Sequence, residues 1–197
     1  MNRIIEVKNL SFSYGKRTVL KDISFSIERG TATAIIGDNG SGKSTLLALI
    51  AKIIRGNGDI TVNGTIAYLP QEIALVEELT FFDNLKYFAS LARCKVPASL
   101  PFDADRLRKT KVKDMSGGMK KLCSICCTLI ADADIYLFDE PCASLDKEHR
   151  DMLIAYIKEL VKAGKTVVYV GHDADEYNDF ATAMILIKDG AIEVGGI

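Results

Sequence analysis

No stretch of this sequence approaches the ~20 consecutive apolar residues that cross a bilayer, and its first residues lack the apolar core of a secretory signal. These two absences argue against a membrane span and lead us to expect a cytoplasmic protein. An excess of one charge is missing too. Lysine and arginine number 25 against 26 acidic residues, so the formal net charge of −1 gives no overall pull toward nucleic acid or anionic lipid, and no nucleic-acid partner is expected. The densest basic cluster, Lys109, Lys111 and Lys113, reads as a solvated loop. Cysteines number five, an odd count, and most sit inside apolar runs, which argues against a disulfide framework. Cys123 and Cys126 have the C-x-x-C spacing, with Cys127 beside them, but no second pair or nearby histidine completes a tetrahedral metal site. They read as small buried helix residues. Low-complexity tracts and internal repeats are absent as well.

What is present is an ordinary globular composition, 48% hydrophobic and 26% charged, in a length of 197 residues that suits one well-buried α/β domain and is short for two. Residues 3–29 alternate apolar and polar positions, which predicts antiparallel strands, and a further short β segment follows from Asp59 to Val62. Residues 82–93 carry Leu85, Phe88, Ala89 and Ala92 at helical spacing. A second helix is predicted from an N-cap at Ser116 through Leu129. The continuous apolar run Ile135–Phe138 fits a strand buried on both faces, Lys165–Gly171 is another buried strand candidate, and residues 147–163 form an amphipathic helix. A helix from Asp173 to Phe180 is predicted to follow, then a hairpin, Ala183–Ile187 with Ala191–Val194. Strands alternating with helices imply a mostly parallel core sheet with right-handed crossovers.

The strongest local signal is Gly37-Asp38-Asn39-Gly40-Ser41-Gly42-Lys43-Ser44-Thr45, lying between the short β-branched run 32–36 and the good helix formers 46–51. This is a complete phosphate-binding loop in its strand–loop–helix context. Its glycines let backbone N–H groups point at one oxyanion, and the following helix adds the positive end of its dipole. Lys43 is then expected to reach the β and γ phosphates and Ser44 to hold Mg²⁺. Asp139, ending a buried strand, is placed like the metal-holding aspartate of such enzymes. Glu140 is placed to polarise an attacking water if its strand neighbours the loop. Ser116-Gly117-Gly118 opens a helix and offers exposed N–H groups to a second anion.

With these in order, nearly the whole chain resembles the ATP-binding cassette ATPases. Tyr14 matches the aromatic that stacks on adenine, residues 37–45 the Walker A loop, Gln71 the Q-loop and Ser116 to Gly118 the signature. Asp139-Glu140 matches the Walker B pair, residues 143–146 the D-loop and His172 the switch histidine. The resemblance implies an α/β P-loop NTPase fold over residues 1–197, with a mostly parallel core sheet, an N-terminal antiparallel β subdomain and a reduced helical subdomain at about residues 72–115. It implies two cassettes facing head to tail, as a homodimer, with ATP and Mg²⁺ between the Walker loop of one and the signature of the other. Lys43, Glu140 and His172 are the catalytic set it implies, and Gln71 joins Ser44 and Asp139 at the metal. His149 matches nothing and reads as a helix-surface residue.

There are two departures. Met119 stands where the signature usually has Gln, and the segment from Gln71 to Ser116 is short for the helical subdomain. The stretch from Glu78 to Arg93 and the Met119-Lys120 pair look like the export-type ATPases that pair with a separate integral membrane permease, which would hold the protein on the inner face of the membrane. Among Phe81, Phe82, Leu85 and Phe88, some are expected to stay exposed and receive a permease helix, with a local mini-core as the other reading. Two other readings of the chain are a soluble cassette ATPase acting in DNA repair or on ribosomes, and a nucleotide-binding but hydrolytically weak member of a heterodimer. The first usually carries paired domains, a coiled-coil insertion or a basic extension, none of which is seen. Glu140 and His172 argue against the second, and only Met119 favours it.

Overall fold

The computed structural model describes residues 2–171 and 173–193. His172 and Val194, on which sequence expectations fell, lie outside the described residues. Strands β1 (Arg3–Tyr14), β2 (Arg17–Glu28) and β4 (Asn57–Val62) form an antiparallel sheet in the order β2-β1-β4, as the alternating pattern requires. The second sheet runs β5-β6-β7-β3-β8-β9, from β3 (Ala32–Ile36), β5 (Ile66–Leu69), β6 (Ile135–Asp139), β7 (Thr166–Val170), β8 (Ala183–Lys188) and β9 (Ala191–Glu193). Its neighbours are parallel except the terminal β8–β9 hairpin.

Two apolar layers hold the sheet. Ile135, Leu137, Val168 and Val170 face β1, β2 and helix α1 (Lys43–Ile50), while Tyr136, Phe138, Val167 and Tyr169 face the other way. That second face is covered by α2 (Phe81–Leu91), α3 (Gly117–Leu129) and α4 (Lys147–Lys162). Because β6 and β7 are buried along their whole length, both of their faces take apolar side chains, and 135–138 and 167–170 read as unbroken apolar runs with the polar Asp139 and Thr166 at their ends.

The segment between β5 and α3 contains one α-helix, α2, followed by two 3₁₀ turns, Ala104–Leu107 and Val112–Asp114. Thr80 caps α2 by accepting from the Asp83 N–H. Phe81, Leu85 and Ala89, spaced one turn apart, face inward and are buried. Phe82 and Phe88 are half-buried. The exposure anticipated among these aromatics therefore falls elsewhere, on Tyr87 and Leu91 of the outer face and on Ile73, Val76 and Leu79 ahead of the helix. Helix α5 (Ala174–Tyr177) is shorter than the helix predicted from Asp173 to Phe180, and Phe180, in the turn after it, sits edge-on to Tyr169 with 5.3 Å between ring centroids.

Candidate nucleotide and metal site

Strand β3 delivers the chain into the glycine loop, where Gly37 adopts φ 147° and a Cβ would stand 2.1 Å from the Ile187 carbonyl oxygen of β8. Only glycine fits this approach. The loop ends on Gly42 (φ 109°), the N-cap of α1, and no side chain caps that end or places an acid in its first turn. The free N–H groups of α1 therefore face the cavity with the positive end of the helix dipole, a ready anion site. The buried Ser41 hydroxyl also has no hydrogen-bond partner among the described residues. Lys43 is buried and curls back over the loop, its Nζ donating to the carbonyls of Gly37 at 2.8 Å and Asp38 at 2.9 Å. Burial lowers its pKa, opposed by the charges of Glu140, Asp139 and Asp38.

Strand β6 is not the neighbour of β3. β7 lies between them. Asp139 nonetheless reaches α1: the Ser44 hydroxyl donates to Asp139 Oδ1 at 3.1 Å. Asp139 is only 1% exposed, and burial raises its pKa against the opposing hydrogen bond from Ser44. A hydroxyl oxygen and a carboxylate oxygen meeting at one point suit a hard cation such as Mg²⁺, and a cation there would offset the cost of the buried charge. The next residue, Glu140, takes φ 48° and donates its N–H to the Val170 carbonyl at 2.9 Å. This left-handed turn carries its side chain out of β6 toward the loop, a constraint typical of functional sites. Gln71, just beyond β5, donates from Nε2 to Glu140 Oε2 at 3.0 Å. Its amide thus meets the glutamate directly, a contact the expected metal role did not include.

Tyr14, Asn39, Gly40, Gly42, Lys43, Ser44, Thr45, Gln71 and Glu140 line one cavity of about 510 Å³. Tyr14 is 57% exposed at its mouth, with its ring edge-on to Phe12 at 4.7 Å. Arg17 and Val19 also line this cavity and were not anticipated, though Arg17 pairs with Tyr14 across the first hairpin. Strand pairing is the signal that could have found it.

The signature residues lie elsewhere. Ser116 caps α3 by accepting from the Met119 N–H at 3.3 Å. Gly118 backs onto the D-loop so closely that a Cβ would stand 2.8 Å from the Ser144 carbonyl oxygen. Ser116, Gly118, Met119, Ser144, Asp146 and His149 line a separate cavity of about 310 Å³, and none of them lines the cavity of the phosphate loop. His149 is half-buried there, its Nδ1 within 2.9 Å of Asp146, so it is more enclosed than a plain surface residue. Cys123, Cys126, Cys127 and Cys142 are buried, and burial pushes the Cys123 thiol up to about 12.

Comparison with known proteins agrees with this geometry. Residues 20–143 match the family described as ABC transporter. The linearmycin resistance ATP-binding protein of Bacillus subtilis (strain 168) is 30% identical over 95% of this chain and 67% of its own length. A solved structure described as the ATP-binding subunit of an ABC transporter is 27% identical and superposes with a TM-score of 0.88, covering 98% of this chain and 90% of the other. The dimeric ATP-binding cassette MJ0796, in a post-hydrolysis state bound to ADP and Pi, shares the fold with a TM-score of 0.82 at 24% identity, over 96% of this chain and 97% of that one. With a phosphate loop, a buried metal-suited aspartate and a remote glycine-rich helix start in one fold, the chain belongs to the ABC transporter family as an ATP-binding cassette.

Proposed function

We propose that this chain hydrolyses ATP to ADP and phosphate and that the hydrolysis drives export through a separately encoded membrane permease. The observation that carries the reading is the convergence of Lys43, Ser44, Gln71 and Glu140 on one cavity beside the buried Asp139. In this reading Tyr14 stacks on the adenine. The loop N–H groups, residues 37–42 and Lys43 hold the phosphates, and Lys43 exchanges its two carbonyl partners for phosphate oxygens. Ser44 and Asp139 would hold Mg²⁺, which would supply neutralising charge to the phosphates. Glu140 accepts the proton of the attacking water, and the Gln71 amide fixes the orientation of that carboxylate. His172 is assigned to the γ phosphate by resemblance alone.

The separation of the two cavities supports a second copy of the chain as partner, since Ser116, Gly117 and Gly118 do not reach this chain's own loop cavity. The dimeric state described for MJ0796 supports the same arrangement. A permease contact is supported by the exposed apolar residues Ile73, Val76 and Leu79, which follow Gln71 directly and so sit where a docking partner would move it. The resistance function named for the Bacillus relative favours export. Phosphate release by the purified chain, with and without Mg²⁺, tests the central step. Mg²⁺-dependent release lost on Glu140→Gln is expected, whereas no release from the chain with or without its permease would refute it.

A further inference from the structure

Lysine is seldom buried unless an opposite charge is buried with it. Among the described residues Lys43 and Lys121 are the buried lysines, and Lys121, in α3, is only 3% exposed. Its Nζ donates to the main-chain carbonyl of Gln71 at 3.3 Å. Burial pulls the Lys121 pKa down, and the charges of Asp139 first, then Glu140, pull it back up. Lys120 turns the other way, toward solvent, and pairs with Glu77 at 2.6 Å, an exposed contact of the kind that contributes little.

The contacts close into a bridge. Gln71 receives Lys121 on its carbonyl and gives its side-chain amide to Glu140, so α3, the end of β5 and the end of β6 are joined through three residues. Lys43 carries its charge toward the same two carboxylates, but its Nζ donates to the loop carbonyls of Gly37 and Asp38 and not to Gln71.

We propose that Lys121 is a positioning residue for the ATPase: its ammonium holds the Gln71 carbonyl, faces the charge of the Asp139–Glu140 pair and, through Gln71, ties the orientation of Glu140 to the helix that carries the signature. The inference rests on the hydrolytic reading above. It gives the signature helix a contact with the catalytic centre of its own chain, in addition to the part proposed for it at the partner's nucleotide. Any shift of α3 as two cassettes close would be felt at Gln71 and Glu140.

The test compares wild type with Lys121→Gln, which keeps a donor and loses the charge, and with Lys121→Arg, which keeps the charge. Two quantities are read: steady-state ATP turnover, and the binding of Mn²⁺ to the ADP-saturated protein by electron paramagnetic resonance. Lys121→Gln is expected to lower kcat about tenfold or more with KM for ATP within about threefold, and to tighten Mn²⁺ binding about threefold or more, because two carboxylates lose their fixed cation. Lys121→Arg is expected to return Mn²⁺ affinity toward wild type. If Lys121→Gln does not fold, Lys121→Met, which retains the apolar stem, carries the same readouts. Mn²⁺ affinity unchanged on loss of the charge overturns the inference whatever happens to turnover. An active wild type with unaffected variants overturns it alone, and an inactive wild type overturns the hydrolytic reading with it.

Discussion

The hydroxyl of Ser44, in the first turn of α1, donates to the buried carboxylate of Asp139 at the end of β6, 3.1 Å away and across an intervening strand. This contact joins the phosphate loop to β6, the strand that ends in the site's buried carboxylate. Replacing either partner should therefore damage metal use before it damages nucleotide contact. Ser44→Ala and Asp139→Asn are each expected to lower Mg²⁺-dependent turnover by about tenfold to a hundredfold or more. Turnover measured across a Mg²⁺ series checks this, and near-normal activity in both variants would remove the metal assignment.

Lys43 lies over the loop with two carbonyl partners it can release. Lys43→Ala should weaken ATP binding by about 1.5–3 kcal/mol, the usual worth of hydrogen bonds to a charged group. Equilibrium titration with a fluorescent nucleotide measures it. Affinity equal to wild type would mean that Lys43 does not reach the phosphates.

Gly118 is packed against the D-loop carbonyl of Ser144, with no room for a methyl group. Gly118→Ala is expected to cost about 1–3 kcal/mol of stability by overpacking and to lower turnover, yet to leave the affinity of a single chain for ATP unchanged. Denaturant unfolding and nucleotide titration on the same sample separate the two effects. Weakened ATP binding by the monomer would place the signature at the chain's own site.

On α2 the inward and outward aromatics should behave oppositely. Phe81→Ala removes a fully buried ring and is expected to destabilise by about 3–5 kcal/mol. Tyr87→Asp, on the exposed face, should leave stability within about 0.5 kcal/mol. If this face meets the permease, Tyr87→Asp lowers recruitment to permease-containing membranes with ATP turnover intact. Recruitment at the wild-type level would move the docking surface toward Ile73, Val76 and Leu79.

Much of this was legible in the sequence because local pattern and chemistry coincide. The glycine loop sits between β3 and α1 as its flanking residues require, and Ser116 caps α3 as a small polar residue before a helix should. Strand order was harder to read, since β6 and β7 are buried on both faces and look alike in sequence. Nothing local says that β7 separates β6 from β3. Lys121 escaped notice for a related reason: beside Lys120 at a helix start it reads as a solvated charge, and only tertiary packing turns it inward. The inward face of α2 was visible as a period of one helical turn, but which aromatics it would leave outside depended on the later segment that pairs with its start, where Phe81 and Phe82 donate their N–H groups to the carbonyls of Thr110 and Arg108.

The most direct test of a site completed between two chains is the mass of Glu140→Gln in saturating ATP and Mg²⁺, by light scattering coupled to size exclusion. The amide keeps the shape of the side chain and removes the base, so ATP should persist and hold two copies together. A species of twice the 21.6 kDa chain mass is expected, returning to one chain mass without nucleotide. A Glu140→Gln protein that binds ATP and still elutes at 21.6 kDa would contradict the shared site.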